Sequence, residues 1–458
     1  MTTRHRISTI GSSLLTSGAL LLGAAVGAAS AQQPPGTSRP AVATRLSAAD
    51  RGAALEAVRK MLAKEYVIPE MRAKLVEQLV RAEKGGRYGV DDPFLFGDRV
   101  TFGDRVTEDL RKVSHDGHLS FRYAPAEYAA AIAPSSSDDG FEAQWRRQAT
   151  RNHYGLKDLR VLPGNIRYLR ITGFDWVSDQ TGAAYDDAMR LLKDGDAVII
   201  DLRGNGGGAS EAVQYLTSHF VSADSLLLTF LQGSETPFQS RALSHVPAGR
   251  LKGKPLYVLI DGGVASAAEE FAYHVQQFRL GELVGARTAG AANNNRLVPV
   301  APGFILSLSI GRPVHAVSKS NWEGAGIEPS AEAAPAQALD VAQSLALSRL
   351  AGASGTDPES RAEYEWARTA VEARLRPVTL SPKQLRALAG GYGEVTVTFR
   401  DGSLWLARPN RETRRLTPLT ADGLFAVAGT EVLRVRFSDK RLEALRLGEP
   451  EPRVFEKR

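Results

Sequence analysis

The chain has 458 residues, 43% of them hydrophobic and 24% charged, enough apolar material for a large buried core spread over roughly two to four domains. Its net charge of +6 is distributed along the sequence, with no aromatic residues interleaved among basic clusters, which argues against nucleic-acid binding. No cysteine occurs, which excludes disulfides, a lipid-modified cysteine, thiolate catalysis and thiolate metal sites.

At the N-terminus Arg4, His5 and Arg6 precede an apolar stretch from Leu14 to Val26 and a close at Ala29, Ser30 and Ala31. That order reads as a signal peptide over residues 1–31 with an Ala-x-Ala cleavage site. The apolar stretch is broken by Ser17 and Gly18 and is shorter than the roughly 20 residues of a spanning helix. A periplasmic or secreted protein with no stable membrane anchor after cleavage is expected. Residues 32–44, with Pro34, Pro35, Gly36 and Pro40, read as a flexible linker.

Ser47 and Asp50 form a helix-capping pair ahead of Leu55, Val58, Leu62 and Tyr66 at helical spacing. Pro69 opens a second helix carrying Met71, Leu75, Leu79 and Val80. Residues 45–125 therefore read as a small helical N-terminal domain. Within it Phe96–Thr101 is repeated word for word by Phe102–Thr107. Six residues would rotate a continuous helix by about 240°, so a loop is expected to absorb the extra copy.

Ala133 to Gly140, with three consecutive serines, marks the crossing to residues 126–350, where short apolar strands alternate with helices. Ala197–Leu202 is a buried-strand run feeding a glycine-rich loop and a helix from Ser210. Pro255–Ile260 repeats the arrangement into a helix near Ser266. Further strands are expected at Glu282–Val284 and Phe304–Ile310, giving an α/β core. Residues 351–380 form a linker and helix. From 381 to 458 alternating strands, one pair joined across Asp401-Gly402, indicate a small β domain.

Ser266 opens its helix, where the dipole and free N–H groups stabilise developing negative charge. A serine there is equally a good N-cap. Asp201–Gly208 reads Asp-Leu-Arg-Gly-Asn-Gly-Gly-Gly, and its glycines can turn successive N–H groups into an anion-binding nest. It lacks the Lys-Ser or Lys-Thr of a P-loop and the Gly-x-Gly-x-x-Gly pattern, so an oxyanion hole suits it better than a phosphate. His115 and His118 bracket Asp116 and Gly117. They offer a histidine base with acidic and hydroxyl neighbours, a pair of turn histidines, or a two-histidine metal site without an obvious further ligand.

Together these segments resemble the tail-specific, or carboxyl-terminal processing, serine peptidase family, over about residues 46–348. The similarity is greatest to the branch that includes interphotoreceptor retinoid-binding protein and the tricorn core. It rests on Asp201–Gly208, on Ser-Ala-Ala-Glu-Glu at Ser266–Glu270, and on Asn-Trp-Glu-Gly-x-Gly-Ile at Asn321–Ile327. The segment ending at Leu119 and Leu-Pro-Gly-Asn-Ile-x-Tyr-Leu at Leu162–Leu169 add to it.

The resemblance implies a crotonase/ClpP-like core of stacked ββα units, Ser266 as nucleophile, and an oxyanion hole from the N–H of Ala267 with that of Gly206 or Gly207. Processing peptidases use a lysine base, and the matching position here is Ala291. Tricorn-like members use a histidine, which matches His118, supported by a glutamate that matches Glu323. The serine that precedes that histidine in tricorn is replaced by Gly117, and Asp116 or Ser114 could substitute in the relay. Ser330 stands where aspartate is usual and is read as structural. No segment between His118 and Asn165 is patterned as a PDZ domain.

The expected activity is therefore peptide-bond hydrolysis through an acyl-enzyme, on a peptide or protein substrate, with no cofactor and no metal. An oligomer is left open. The alternative on the same scaffold is a non-hydrolytic binder of hydrophobic ligands, as in the retinoid-binding relatives.

Overall fold

A computed structural model describes residues 46–89, 97–133, 138–232, 236–438 and 440–458. The expected signal peptide, the linker 32–44 and the three serines at 135–137 lie outside the described residues. No helix among the described residues is long and apolar enough to cross a membrane.

Helix α1 (Ala48–Glu65) starts on a capping box: Asp50 N–H donates to Ser47 Oγ at 3.0 Å, and Ser47 N–H donates back to Asp50 at 3.3 Å. Helix α2 (Pro69–Lys84) carries Pro69 at its first position, where the missing N–H costs nothing. Helix α3 (Gly97–Ser114) leads into strand β1 (Ser120–Tyr123). The apolar faces of the three helices close on a sheet rather than on one another alone. Leu55, Leu62, Leu79, Phe102 and Val106 share one core with Phe121, Phe304, Leu306 and Leu308.

The duplicated hexapeptide lies on α3, so the expected separating loop is not what is found. From Gly97 onward both copies belong to one continuous helix, and Phe96 is outside the described residues. The offset is instead converted into rotation. Asp98 and Arg99 of the first copy are buried, whereas their equivalents Asp104 and Arg105 face solvent or lie at its edge. Val100 is 46% exposed and Val106 0%. The second copy packs on β1: a Cβ on Gly103 would stand 2.9 Å from Phe121 O, and Thr107 Oγ1 exchanges two 2.8 Å bonds with the Phe121 backbone.

After helices α4 (Pro125–Ile132) and α5 (Asp138–Arg151), the chain enters strands β2 (Leu156–Leu162) and β3 (Ile166–Ile171), helix α6 (Ser178–Lys193), β4 (Ala197–Asp201) and α7 (Ser210–Ser218). Strands β5 (Leu226–Gln232), β6 (Phe238–Arg241) and β7 (Leu256–Ile260) follow, then α8 (Ala267–Gln277), β8 (Glu282–Gly285), β9 (Asn294–Val300), β10 (Phe304–His315), β11 (Ala331–Glu332) and α9 (Ala338–Gly352). One sheet runs β11-β8-β7-β4-β3-β2, parallel except for β2. The other, antiparallel, runs β1-β10-β5-β6 with β9 on β10.

Strands β4 and β7 are buried at every residue, because helices cover both faces of the parallel sheet. Alternation sorts their side chains: Val198, Ile200, Val258 and Ile260 join α6, α7 and α8, while Ala197, Ile199, Tyr257 and Leu259 join α9 and α10 (Pro358–Leu375). The two strands are neighbours, so the loops leaving their carboxyl ends emerge side by side, where open α/β sheets bind ligands.

The C-terminal β domain begins with α11 (Pro382–Leu388) and continues as eight sequential antiparallel strands, β12 (Gly390–Tyr392), β13 (Val395–Arg400), β14 (Ser403–Ala407), β15 (Arg414–Pro418), β16 (Leu424–Val427), β17 (Leu433–Ser438), β18 (Arg441–Arg446) and β19 (Arg453–Glu456). Bonds from Gly393 N–H to Glu456 O and from Arg458 N–H to Gly391 O bring the last strand back to the first. The meander thus closes over its own core of Tyr392, Leu404, Phe425 and Phe437.

The two faces of α3 make a direct test. Val106→Ala should lower the free energy of unfolding by about 2 kcal/mol through the cavity left beside Phe121. Val100→Ala, the same change in the same hexapeptide, should stay within about 0.5 kcal/mol. Urea denaturation of both variants reads the difference.

Candidate active site

The loop after β4 is fixed before it reaches its glycines. Asp201 is fully buried, and its carboxylate accepts from Arg203 Nε at 2.9 Å, Arg203 Nη2 at 2.6 Å and Tyr168 Oη at 2.7 Å. Burial alone would raise this carboxyl, but the arginine and tyrosine donors outweigh it and hold it below the ordinary range. Asn205, also fully buried, then ties three strands of chain together. Its Nδ2 donates to Ile171 O at 3.0 Å, its Oδ1 accepts from Gly207 N–H at 2.9 Å, and its carbonyl accepts from Ala265 N–H at 3.1 Å. Asp261 Oδ1 accepts from Gly204 N–H and Gly263 N–H, stitching the glycine loop to the turn before Ser266.

Ser266 is the N-cap of α8, with φ 55° and ψ −123°. A non-glycine residue in that conformation stores on the order of 1–3 kcal/mol of backbone strain. Sharp strand-to-helix turns of this kind raise a nucleophile out of the chain. The neighbouring loop fits only because Gly207 lacks a side chain: a Cβ there would lie 2.8 Å from Ser266 Cβ and 3.0 Å from Ala267 N. Its φ of 108° independently requires glycine. Because the Gly207 N–H is already given to Asn205, Gly206 and Ala267 supply the N–H groups that are uncommitted among the described residues.

The strain at Ser266 is held by Glu269. Glu269 is fully buried. Its Oε2 accepts from Ser266 N–H at 3.1 Å and Ala291 N–H at 2.8 Å, and its Oε1 accepts from Gly290 N–H at 2.7 Å and from the Thr288 hydroxyl. The Ser266 turn is therefore clamped to the 288–293 loop. Ala291, the position of the processing peptidases' lysine, carries no ionisable group. It lies against Gly117, where a Cβ would stand 3.0 Å from Ala291 Cβ and 3.4 Å from Gly290 O. A side chain at 117 would therefore require the 290–291 segment to give by a few tenths of an ångström, which glycine avoids.

His118, at the exit of α3, is brought to this loop together with Glu323. Glu323 Oε1 accepts from Gly117 N–H at 2.8 Å, and its Oε2 accepts from Ala292 N–H at 2.6 Å and Asn293 N–H at 2.7 Å. One side-chain atom each of Asp116, His118 and Glu323 falls within 4.8 Å of the other two. Such a trio could hold a metal ion, but its lone pairs are largely spent. Asp116 Oδ1 accepts from His118 N–H and Leu119 N–H, and its Oδ2 from Tyr66 Oη and Asn293 Nδ2. The two carboxylates are committed to backbone N–H groups, Tyr66 and Asn293, with the imidazole ring alongside them.

His118 Nδ1 is buried without a partner, and no hydrogen bond joins the ring to Ser266 among the described residues. Burial pushes the imidazole below its ordinary value, with Asp116 opposing and Arg111 adding to the shift. Burial, then the charge of Asp116, pushes Glu323 up to about 7, against the three N–H donors. Asp116 and Ser114, the other relay candidates, are both committed: Ser114 Oγ donates to Leu110 O and accepts from Asp116 N–H. His115 lies outside the trio with φ 54° in the turn after α3. Ser330 bonds to the Leu283 backbone, a structural role that joins β8 to the chain entering β11.

Sequence reasoning singled out Ser266, His118, Glu323, Gly206, Gly207 and Ala267, but passed over Glu269, Asn205 and Asn293. Asn205 was visible as the only non-glycine between Gly204 and Gly208. Glu269 had the disguise of an ordinary acidic residue in the first turn of a helix.

Residues 165–333 match the model of peptidase family S41, a span that contains Ser266, the glycine loop and Glu323. The carboxy-terminal processing protease CtpB of Bacillus subtilis is 28% identical over 178 residues, 38% of this chain and 35% of that protein. The chloroplastic C-terminal processing peptidase of Tetradesmus obliquus is 29% identical over 149 residues, 32% of this chain and 31% of that protein. The chain thus spans about a third of the length of these curated relatives. Among solved structures, the photosystem II D1 C-terminal processing protease aligns with 63% of this chain and 94% of its own, at 16% identity and a TM-score of 0.39. Over residues 165–333 the chain is similar to peptidase family S41, and the curated relatives it matches are carboxy-terminal processing proteases.

Proposed function

We propose that the chain is an exported serine peptidase with a histidine base, built on a ClpP-like core. The observation that carries this reading is the strained Ser266 at the head of α8 with the glycine loop packed against it. The N-terminal sequence, with its basic start and Ala-x-Ala close, supports export. With Nδ1 turned into the protein, His118 Nε2 takes the hydroxyl proton as Ser266 Oγ attacks the peptide carbonyl. The oxyanion is held by the N–H groups of Gly206 and Ala267. The C–N bond then breaks and the amine leaves with the proton from His118. Water, giving its proton to His118, attacks the acyl carbon, and the acid is released as the proton returns to Ser266.

Glu323 orients the imidazole. Its Oε1 carries one backbone N–H and lies in the group whose side-chain atoms fall within 4.8 Å of one another, so a closure to hydrogen-bond distance from His118 Nδ1–H would order the ring and stabilise the imidazolium. No bond between ring and hydroxyl is needed beforehand, because catalytic hydrogen bonds often tighten only when substrate is bound. Peptides or proteins are the substrates. The ligand-binding alternative would leave the strain at Ser266 without a use.

A fluorophosphonate probe should label the wild type at Ser266 and leave Ser266→Ala unlabelled. His118→Ala should slow labelling by about 10²–10⁴-fold. An unlabelled wild type would favour the binder, and a labelled Ser266→Ala would move the nucleophile elsewhere.

The acid limb of the labelling rate should have its midpoint below 6.5, the ordinary imidazole value, because a buried ring loses its proton at lower pH. Stability carries the opposite sign at Glu323, whose folded pKa is raised. Its contribution is full below about 4.5 and is lost as pH rises through about 7. The wild-type advantage over Glu323→Gln in urea midpoint should therefore shrink across that window.

A further inference from the structure

One buried polar chain has no place in the mechanism above. Glu270 and His274 lie on the inner face of α8, one and two turns beyond Ser266, and both are almost fully buried. Ser210 Oγ, at the first position of α7 and directly after the glycine loop, donates to Glu270 Oε2 at 2.8 Å. His274 Nδ1 lies 3.1 Å from His315 Nε2, and His315 Nδ1 accepts from Val317 N–H at 3.0 Å. Glu270 Oε1 and His274 Nε2 have no hydrogen-bond partner closer than each other, at 3.6 Å.

The donors and acceptors fix the proton positions. Burial holds both imidazoles neutral, each down at about 3, so each carries one N–H. His315 Nδ1 already accepts from Val317, so its proton sits on Nε2 and is given to His274 Nδ1. His274 must then carry its own proton on Nε2, aimed at Glu270 Oε1. From the 315–317 turn the donors point toward Glu270, ending on a 3.6 Å approach of His274 Nε2 to Oε1 that is longer than a hydrogen bond, while Ser210 meets Oε2 on the other side. Burial pushes Glu270 up to about 8; with His274 Nε2–H facing Oε1, a proton on the carboxyl sits on Oε2 and is given to Ser210 Oγ, which reverses that one bond.

The chain joins what catalysis needs joined. Its Ser210 end anchors the segment immediately after Gly206–Gly208. Its His315 end anchors the segment that runs on to Glu323, where Tyr273 also holds Ser318 by a 2.9 Å bond and packs on Trp322 with ring centroids 5.1 Å apart. Helix α8 lies between with Ser266 at its head.

We propose that Ser210, Glu270, His274 and His315 form a directed positioning relay, with both histidines as Nε2–H tautomers, that sets the oxyanion loop and the Glu323 segment against the Ser266 helix. Its catalytic consequence rests on the serine peptidase reading, whereas its tautomers do not.

Two measurements on the full chain test it. Histidine-labelled ¹⁵N spectra, assigned with His274→Gln and His315→Gln, should show both rings neutral at pH 7 with the proton on Nε2. A proton on Nδ1 of His274 would overturn the relay. Separately, Ser210→Ala should lower the limiting rate of fluorophosphonate acylation by on the order of ten- to a hundred-fold, with the half-saturating probe concentration unchanged. Ser210→Thr, which keeps the hydroxyl, should restore most of the loss. Wild-type acylation in Ser210→Ala, or a loss that threonine does not relieve, would refute the positioning role. A wild type that fails to label removes the peptidase reading alone, and the spectra still decide the relay.

Discussion

The buried carboxylate of Glu269 is the interaction on which the site depends. It spends its lone pairs on four donors: Ser266 N–H, Ala291 N–H, Gly290 N–H and the Thr288 hydroxyl. Burial raises such a carboxyl, and these donors pull the other way, so their loss would leave an acid in an apolar helix interface. One side chain therefore joins the strained turn at Ser266 to the loop that receives Gly117, Glu323 and, through them, His118. The unfavourable conformation at Ser266 persists because its surroundings over-determine it.

The remainder of the scaffold serves to bring loops to that junction. Two adjacent parallel strands, β4 and β7, deliver the glycine loop and the Ser266 turn to the same edge of the sheet. The antiparallel sheet, with α1, α2 and α3 packed against it, delivers His118 from the other side, and Ser307 Oγ holds the His118 carbonyl at 2.6 Å. Separating the first helices from the core would therefore remove the histidine segment along with them.

Much of this could be read in the sequence, for reasons that also explain what could not. Strands such as Ala197–Asp201 and Leu256–Ile260 announce themselves because total burial leaves an unbroken apolar run. Ser266 and the glycine loop were readable because positive φ and helix starts restrict residue choice locally. Contacts between distant segments leave no local mark. Gly117 N–H reaches Glu323 across 206 positions, and nothing near either residue says so. The repeat on α3 misled for a related reason. Identical words suggest identical surroundings, but burial follows angle around the helix, and six residues do not return to the same face.

The close approach of Gly117 to Ala291 couples two positions far apart in the chain. A Cβ at 117 would stand 3.0 Å from Ala291 Cβ, so the two loops share one narrow gap. A change of size at one of them alters the space left to the other. Residues 174 positions apart in sequence are thus tied together by the width of a single gap between two loops.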